Sequence, residues 1–373
     1  MLNKQWINIS SHSSAQKEEL AKRLGIHPVL AQLLLNRGIT NFEEAKTFFR
    51  PNLEFLHDPF LMKDMDKAVA RLELALKKNE KILVFGDYDV DGTTAVSMMY
   101  LFLKNLTDNL SFYIPDRYKE GYGISNDSID FAAENNFTLI ISLDCGTKSV
   151  DKIASAKEKG IDYIVCDHHQ PGEILPDAVA MLNPKRKDCA YPCKHLSGAG
   201  VGFKLIQAYC EKNELEKEEY FRYLDLLAVS IGADIVPIVG ENRVLAYYGL
   251  QKLNQNPSPG LQTIIAIAKR KGGELTMSDI GFGIGPRINA AGRLYSGSEI
   301  VELLVSSDKQ MRDDIGSAID SYNEERKSIE KSITEEALQL LIGEEEKDSG
   351  DLLAEISLSI VILITNISNK DLN

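Results

Sequence analysis

The 373-residue sequence contains no apolar run of the roughly 18 residues that a membrane span needs. It also opens with no basic-then-apolar leader, so neither insertion nor secretion is expected. Cysteine is scarce: Cys145, Cys166, Cys189, Cys193 and Cys210 make an odd number in a long chain. That fits reduced thiols and a cytoplasmic setting better than a disulfide framework. Cys189 and Cys193 are four apart but lack a second pair, so loop packing is a better reading of them than zinc. Positive charge is in deficit, with Lys+Arg 42 against Asp+Glu 55 and a net charge of -13. Indiscriminate nucleic-acid binding through bulk charge is thereby disfavoured. A local basic groove, or an acidic cluster that holds cations, remains open. Internal repeats and low-complexity segments are also missing.

The residues that are present divide by pattern. Residues 1–75 read as a helical N-terminal extension, because "AQKEELAKRLGIHPVLAQLLLNRGI" and "NFEEAKTFFRP" space apolar residues by three and four. Over 76–240 short apolar runs ("KILVFG", "LSFYIP", "TLIISL", "IDYIVC", "AVAMLN") alternate with helical stretches. Runs apolar on both faces and joined by helices imply a doubly wound, mainly parallel α/β sheet covered on both sides. Residues 241–307 look helical. The segment 308–342 has no proline and one glycine, and should form one long connecting helix, with a tail beyond it at 343–373.

Ligands of open parallel sheets sit beyond the carboxyl ends of the strands, so the residues just after each strand matter most. "DYDVDG" places Asp87, Asp89 and Asp91 on a loop, with a helix expected from about Thr93. "DCGT" puts Asp144 at a second strand end, and "DHH" puts Asp167, His168 and His169 at a third. Asp234, in "SIGADIVP", ends an apolar helical stretch and could close the same pocket. Each piece alone has a plain explanation. A single Asp after a strand is commonly a helix cap, and a calcium loop would want Glu where Met98 stands. Together they differ, because five or six carboxylates at one sheet edge repel unless cations compensate them. Carboxylate oxygens mixed with imidazole suit Mn²⁺ or Mg²⁺ better than zinc, and two such ions form a clamp for attack of water on phosphate.

In this order "DYDVDG", "SLDCG", "DHH" and "GADIVP" resemble the four motifs of the DHH phosphoesterase superfamily. The N-terminal extension, "IPDRYKEGYGIS", "HLSGAGVGFKL" and above all "GPRINAAGRL" are similar to its RecJ branch of single-stranded-DNA exonucleases. The likeness runs from about residue 5 to about 340. It implies a metal-dependent 5′–3′ exonuclease of DNA repair and recombination. Asp87, Asp89, Asp91, Asp144, His168 and Asp234 would hold the metals, and Asp144 and Asp91 would bridge them. His169 would contact the scissile phosphate. Arg117, Arg287, Asn289 and Arg293 would contact the strand, with helix-surface salt bridging as the plain alternative. The catalytic set implied is Asp89, Asp91, Asp144, His168, His169 and Asp234. Some superfamily members carry His where this chain has Phe85. A monomer is implied, with single-stranded DNA as partner and a helicase or single-strand-binding protein as possible associates. The alternatives are a phosphoesterase of oligoribonucleotides or other small phosphates, and a catalytically silent binding subunit.

The resemblance further implies a DHH-associated domain with a Gly-Gly-His type motif after the long helix, and then an OB-fold domain. "GEEEKDSGDLLAEISLSIVILITNISNKDLN" contains neither, so a C-terminally truncated product with weak strand binding and little processive activity is expected.

Overall fold

The computed structural model describes residues 12–268, 272–294 and 296–344, with the backbone alone at 293–294 and 337–344. The "KRK" cluster at 269–271, the Arg293 side chain and the apolar tail lie outside the described residues.

Helices α1 (Ser14–Leu24), α2 (Pro28–Leu35) and α3 (Phe42–Phe49) bury Leu20, Ala31, Leu34 and Ala45 in a small core of their own. Ser13 caps α1 in a reciprocal box with Gln16, and Asn41 caps α3 by accepting from the Glu44 N–H. This layer docks on the rest of the molecule through the Arg243 guanidinium, 3.7 Å from the Phe48 ring centroid.

Next come α4 (Met65–Lys77), β1 (Ile82–Gly86), α5 (Val90–Lys104), β2 (Leu110–Tyr113), α6 (Asn126–Glu134), β3 (Leu139–Leu143), α7 (Val150–Glu158), β4 (Asp162–Cys166) and β5 (Ala180–Leu182). The five strands pair in parallel in the order β2-β1-β3-β4-β5. Strands β1 and β3 are buried at every position, which is why they read as unbroken apolar runs. Their alternate side chains feed two cores. Ile82, Val84, Ile141 and Leu143 face the larger one, while Leu83, Phe85 and Ile140 face the smaller. Phe85 stacks on Tyr113 in that smaller core, a packing role.

The chain leaves β1 toward β2 on one side and returns to β3 on the other. The crevice at the carboxyl ends of β1 and β3 is therefore the switch point where such sheets bind ligands. The helix after β1 starts earlier than the sequence pattern predicts, at Val90, so Asp91 sits in its first turn and not on a loop. The Asp89 carboxylate drives this by accepting from the Gly92 N–H at 2.9 Å, which satisfies an otherwise orphaned donor.

Beyond the sheet lie α8 (Gly198–Lys212), α9 (Glu218–Phe221), α10 (Leu224–Ala233), α11 (Gly240–Gln255), α12 (Pro259–Ile267), α13 (Met277–Asp279), a π-helical turn Ile280–Ile284, α14 (Gly285–Leu294), α15 (Gly297–Val305) and the 36-residue α16 (Lys309–Glu344). Helix α14 carries "GPRINAAGRL", whose small residues serve close packing. A Cβ on Gly292 would lie 2.2 Å from the Tyr88 carbonyl oxygen, so only glycine lets α14 approach the loop after β1.

Candidate metal centre

Three strand ends and one helix end converge at the switch point. Asp144, the residue after β3, takes a left-handed backbone (φ 60), which aspartate tolerates better than most residues. The carboxylate is almost fully buried, and its Oδ1 has no hydrogen-bond donor. Asp87 Oδ1 is likewise buried and undonated. His168 Nε2 lies 3.1 Å from Asp144 Oδ1, 3.7 Å from Asp234 Oδ2 and 3.8 Å from Asp91 Oδ2.

The ring of His168 has its orientation fixed from behind. Nδ1 is 3.0 Å from the Leu196 carbonyl oxygen, so the proton belongs there and Nε2 turns a lone pair toward the three carboxylates. Burial lowers the pKa of this imidazole and keeps it neutral. A lone pair facing carboxylate oxygens repels unless a cation lies between them.

The acids show the same frustration. Burial, reinforced by Asp91 and Asp89, pushes Asp144 well above the usual carboxylate range. Burial and then Asp89 raise Asp87 to about 7. Burial and then Asp91 and Asp89 raise Asp234 to about 7. Asp89 is shifted upward as well, by burial and then by Asp91. Three clusters have potential ligand atoms all within 4.8 Å of one another: Asp91, His168 and Asp234; Asp87, Asp89 and Asp144; and Asp144, His168 and His169. Asp144 and His168 are each shared by two of them. Oxygen donors dominate, two of them orphaned, with one or two imidazole nitrogens. That set fits a hard or borderline divalent cation.

Asp91 is held more rigidly than its neighbours. It accepts from the Gly198 and Ala199 N–H groups at the N-terminus of α8 (2.6 and 2.8 Å) and from the Ser230 hydroxyl (2.7 Å). This explains "HLSGAGVGFKL" locally. A Cβ on Gly198 would sit 2.5 Å from Asp144 Cβ, so the helix end can come this close only without a side chain. Gly198→Ala is expected to cost about 1–3 kcal/mol in a denaturant titration through overpacking, and to weaken divalent-cation binding by displacing Asp144. Unchanged stability and cation affinity would contradict the close approach.

Asp167 plays a part that composition could not separate from its neighbours. Its Oδ1 accepts from the His168 and His169 N–H groups and pairs with His169 Nδ1 at 2.8 Å, while Oδ2 accepts from the Thr147 N–H at 2.8 Å. Burial works to raise its pKa, yet the His169 and Thr147 contacts win and hold the carboxyl below its ordinary range. In return Asp167 raises the pKa of His169. Sequence pattern does not single out Tyr122, whose hydroxyl lies 3.3 Å from His169 Nε2 and from the Asp144 carbonyl oxygen, nor Ser230. "EGYG" carries a local signal for Tyr122, but nothing local marks Ser230. A cavity of about 340 Å³ adjoins His169, lined by Tyr122, Cys145, Thr147, Lys148 and Ser149.

The expected strand contacts divide. Arg117 is exposed, with its guanidinium 5.3 Å from the Tyr88 ring centroid, and its charge acts on Asp87. Asn289 is half-buried on α14. Arg287 is engaged within the protein. It is buried, and it donates to the Gly283 carbonyl (2.9 Å) and to Asp320 on α16 (3.2 Å). Its Nε joins α14 to α16 and Nη1 bonds back to the preceding turn, an arrangement that matches the salt-bridge alternative.

Known proteins share these features. Residues 81–231 match the N-terminal domain of the DHH family. The single-stranded-DNA-specific exonuclease RecJ of Bacillus subtilis is 39% identical over 324 residues, covering 87% of this chain and 40% of that protein. RecJ of Escherichia coli is 33% identical, over 84% of this chain and 56% of its own length. The chain thus spans about half the length of the curated relatives it matches. Among solved structures, RecJ of Thermus thermophilus in complex with Mn²⁺ superposes with a TM-score of 0.74 at 28% identity, covering 89% of this chain and 47% of that one. A manganese-bound exonuclease RecJ gives 0.69 at 30% identity, covering 78% of this chain and 72% of its own. On the shared sheet, the motifs at its carboxyl edge and this likeness, the chain belongs to the RecJ branch of the DHH family.

Proposed function

We propose that the chain is a metal-dependent nuclease that removes nucleotides from the 5′ end of single-stranded DNA in repair and recombination, using two Mn²⁺ or Mg²⁺ ions. The observation that supports this most is the donor-free, buried oxygen of Asp144 beside the lone pair of His168. Asp91, His168 and Asp234 would hold one ion, Asp87 and Asp89 the other, with Asp144 and Asp91 shared. When bound, such ions make water more acidic and neutralise phosphate charge.

The protein's own part is positioning and proton transfer. Asp167 holds the His169 ring through Nδ1 and raises its pKa, which favours the form with a proton on Nε2 at the mouth of the site. Water oxygen bonds to the phosphorus between the first two nucleotides as its proton passes to solvent, the bond from phosphorus to the 3′ oxygen of the first breaks, and His169 gives that oxygen its proton and is reprotonated from solvent. A mononucleotide and a strand with a new 5′ phosphate result. Arg117, Asn289 and Arg293 would steady the strand's phosphates. We further propose a monomer of the cytoplasm that works beside a helicase or a single-strand-binding protein.

The test compares 5′-labelled single strands, 3′-labelled single strands, blunt duplexes and dinucleotides with Mn²⁺ and with chelator. Label released first from the 5′ end, only with metal, and much faster from single strands is the expected result. Added salt should weaken strand binding. Equal cleavage of duplex and single strand would overturn the strand preference, and faster turnover of dinucleotides would favour a small-phosphate substrate.

A further inference from the structure

Two large apolar side chains near the end of α10 stand in solvent, and packing explains neither. Phe282 is 87% exposed and Ile235 83% exposed, the highest values among the exposed large hydrophobics of the described residues. Ile235 directly succeeds Asp234, whose carboxylate lies 3.7 Å from His168 Nε2. It is a β-branched residue in the left-handed region (φ 57), a conformation that costs energy and persists only where the surroundings impose it.

Phe282 is the middle residue of the π-helical turn Ile280–Ile284, between Gly281 and Gly283. That turn packs on the end of α10. A Cβ on Gly281 would lie 3.2 Å from the Gly232 carbonyl oxygen, and one on Gly285 would lie 3.1 Å from Ala233 Cβ. Gly232 and Ala233 immediately precede Asp234. A π-turn that carries an exposed aromatic ring and a strained, exposed isoleucine thus meet at the helix end that supplies Asp234. The flanking glycines leave the ring open, and a Cβ on Gly283 would meet nothing within 4 Å. π-Helical turns are rare and cluster at functional sites.

We propose that Phe282, on the turn packed against the end of α10, is a stacking platform for a nucleobase of the single strand whose backbone phosphate lies at the acid cluster. This rests on the nuclease reading and extends it to the bases. A single strand has unpaired faces to offer, and an isolated ring in water gains most from stacking on one of them. A duplex keeps its bases stacked on each other, so the same ring would favour single strands without reading sequence. Lys185 is close enough for its charge to act on both His168 and Asp234, so a cation lies near the acid cluster.

The test uses the full chain with Mn²⁺ and a short 5′-phosphorylated single strand whose phosphorothioate linkages resist cleavage. In parallel strands one base at a time is removed along the 5′ region to leave an abasic sugar. Phe282→Ala is expected to weaken binding of the intact strand about tenfold. Its melting temperature should not change, because the ring is exposed. Removing the stacked base should weaken wild-type binding by a similar factor and abolish the further effect of Phe282→Ala. In Phe282→Trp the added indole should be quenched by the intact strand and not by the strand abasic at that position. Equal binding by wild type and Phe282→Ala would overturn the proposal, as would a loss that is the same wherever the abasic site lies. An indole already shielded without DNA would mean that another segment or a second copy covers the ring, and would overturn it too. If the wild type neither binds nor cuts single strands, the nuclease reading fails first. If it does both while Phe282→Ala changes nothing, only the stacking platform fails.

Discussion

If the proposed nuclease reading holds, Asp144→Asn should lower hydrolysis of a 5′-labelled single strand by at least about a thousandfold while the chain stays folded. The size comes from chemistry: a shared ligand of two cations contributes several kcal/mol to the charge they supply, and about 4 kcal/mol is a thousandfold in rate. Asparagine is the informative replacement. It keeps the shape of the side chain and tolerates the left-handed backbone at φ 60, where alanine would add strain of its own. The carboxylate lies beside the His168 ring and within reach of the Asp87 and Asp89 oxygens, so its loss should disturb both cation positions at once. Circular dichroism and a manganese titration with the variant complete the test. Near-normal hydrolysis with intact cation binding would remove Asp144 from the centre of the mechanism.

Divalent cations should reverse the pH dependence of stability. In chelator, Asp87 and Asp234 have folded pKa values raised to about 7 from the ordinary 3.8. The native state then binds more protons than the unfolded chain between those values, so stability falls as pH rises from about 4 through 7 and levels off above. The cause is chiefly burial, with repulsion from Asp89 and Asp91 added. With Mn²⁺ present the ionised carboxylates are the ones that bind, so the metal-dependent gain should grow over the same range. Saturation at a hundred times Kd corresponds to about 2.7 kcal/mol per site. Thermal melts at pH 5 and pH 8, with chelator and with Mn²⁺, check both signs. A metal-free chain that is more stable at pH 8 than at pH 5 would contradict the assignment of these acids to a cation site.

Some expectations fail for reasons that spacing cannot reveal. The apolar pattern places Asp91 on a loop because helix starts are imprecise in sequence. The Asp89 side chain begins α5 three residues earlier than that pattern implies. Arg287 reads as a phosphate contact within "GPRINAAGRL", yet Asp320, 33 residues further on, takes its Nε. An arginine's partner is a matter of which helices meet. Gly292 of that motif likewise serves contact between α14 and the Tyr88 backbone, which no inspection of the motif alone could distinguish from an approach to substrate.

The sequence by itself determined the parallel sheet, since unbroken apolar runs such as Ile82–Gly86 and Leu139–Leu143 can be buried on both faces only there. It also determined that the acids come directly after the strands, because the ends of those runs are sharp. Only the tertiary structure decided how the acids differ from one another. Asp91 is tied down by the N-terminus of α8 and the Ser230 hydroxyl, Asp167 is spent on orienting His169, and Asp144 is left with a buried Oδ1 that has no donor. These are one residue type in similar local contexts. They are separated by which backbone N–H groups and hydroxyls the packing of α8 and α10 brings within hydrogen-bond distance, and that depends on contacts between residues more than a hundred positions apart in the chain.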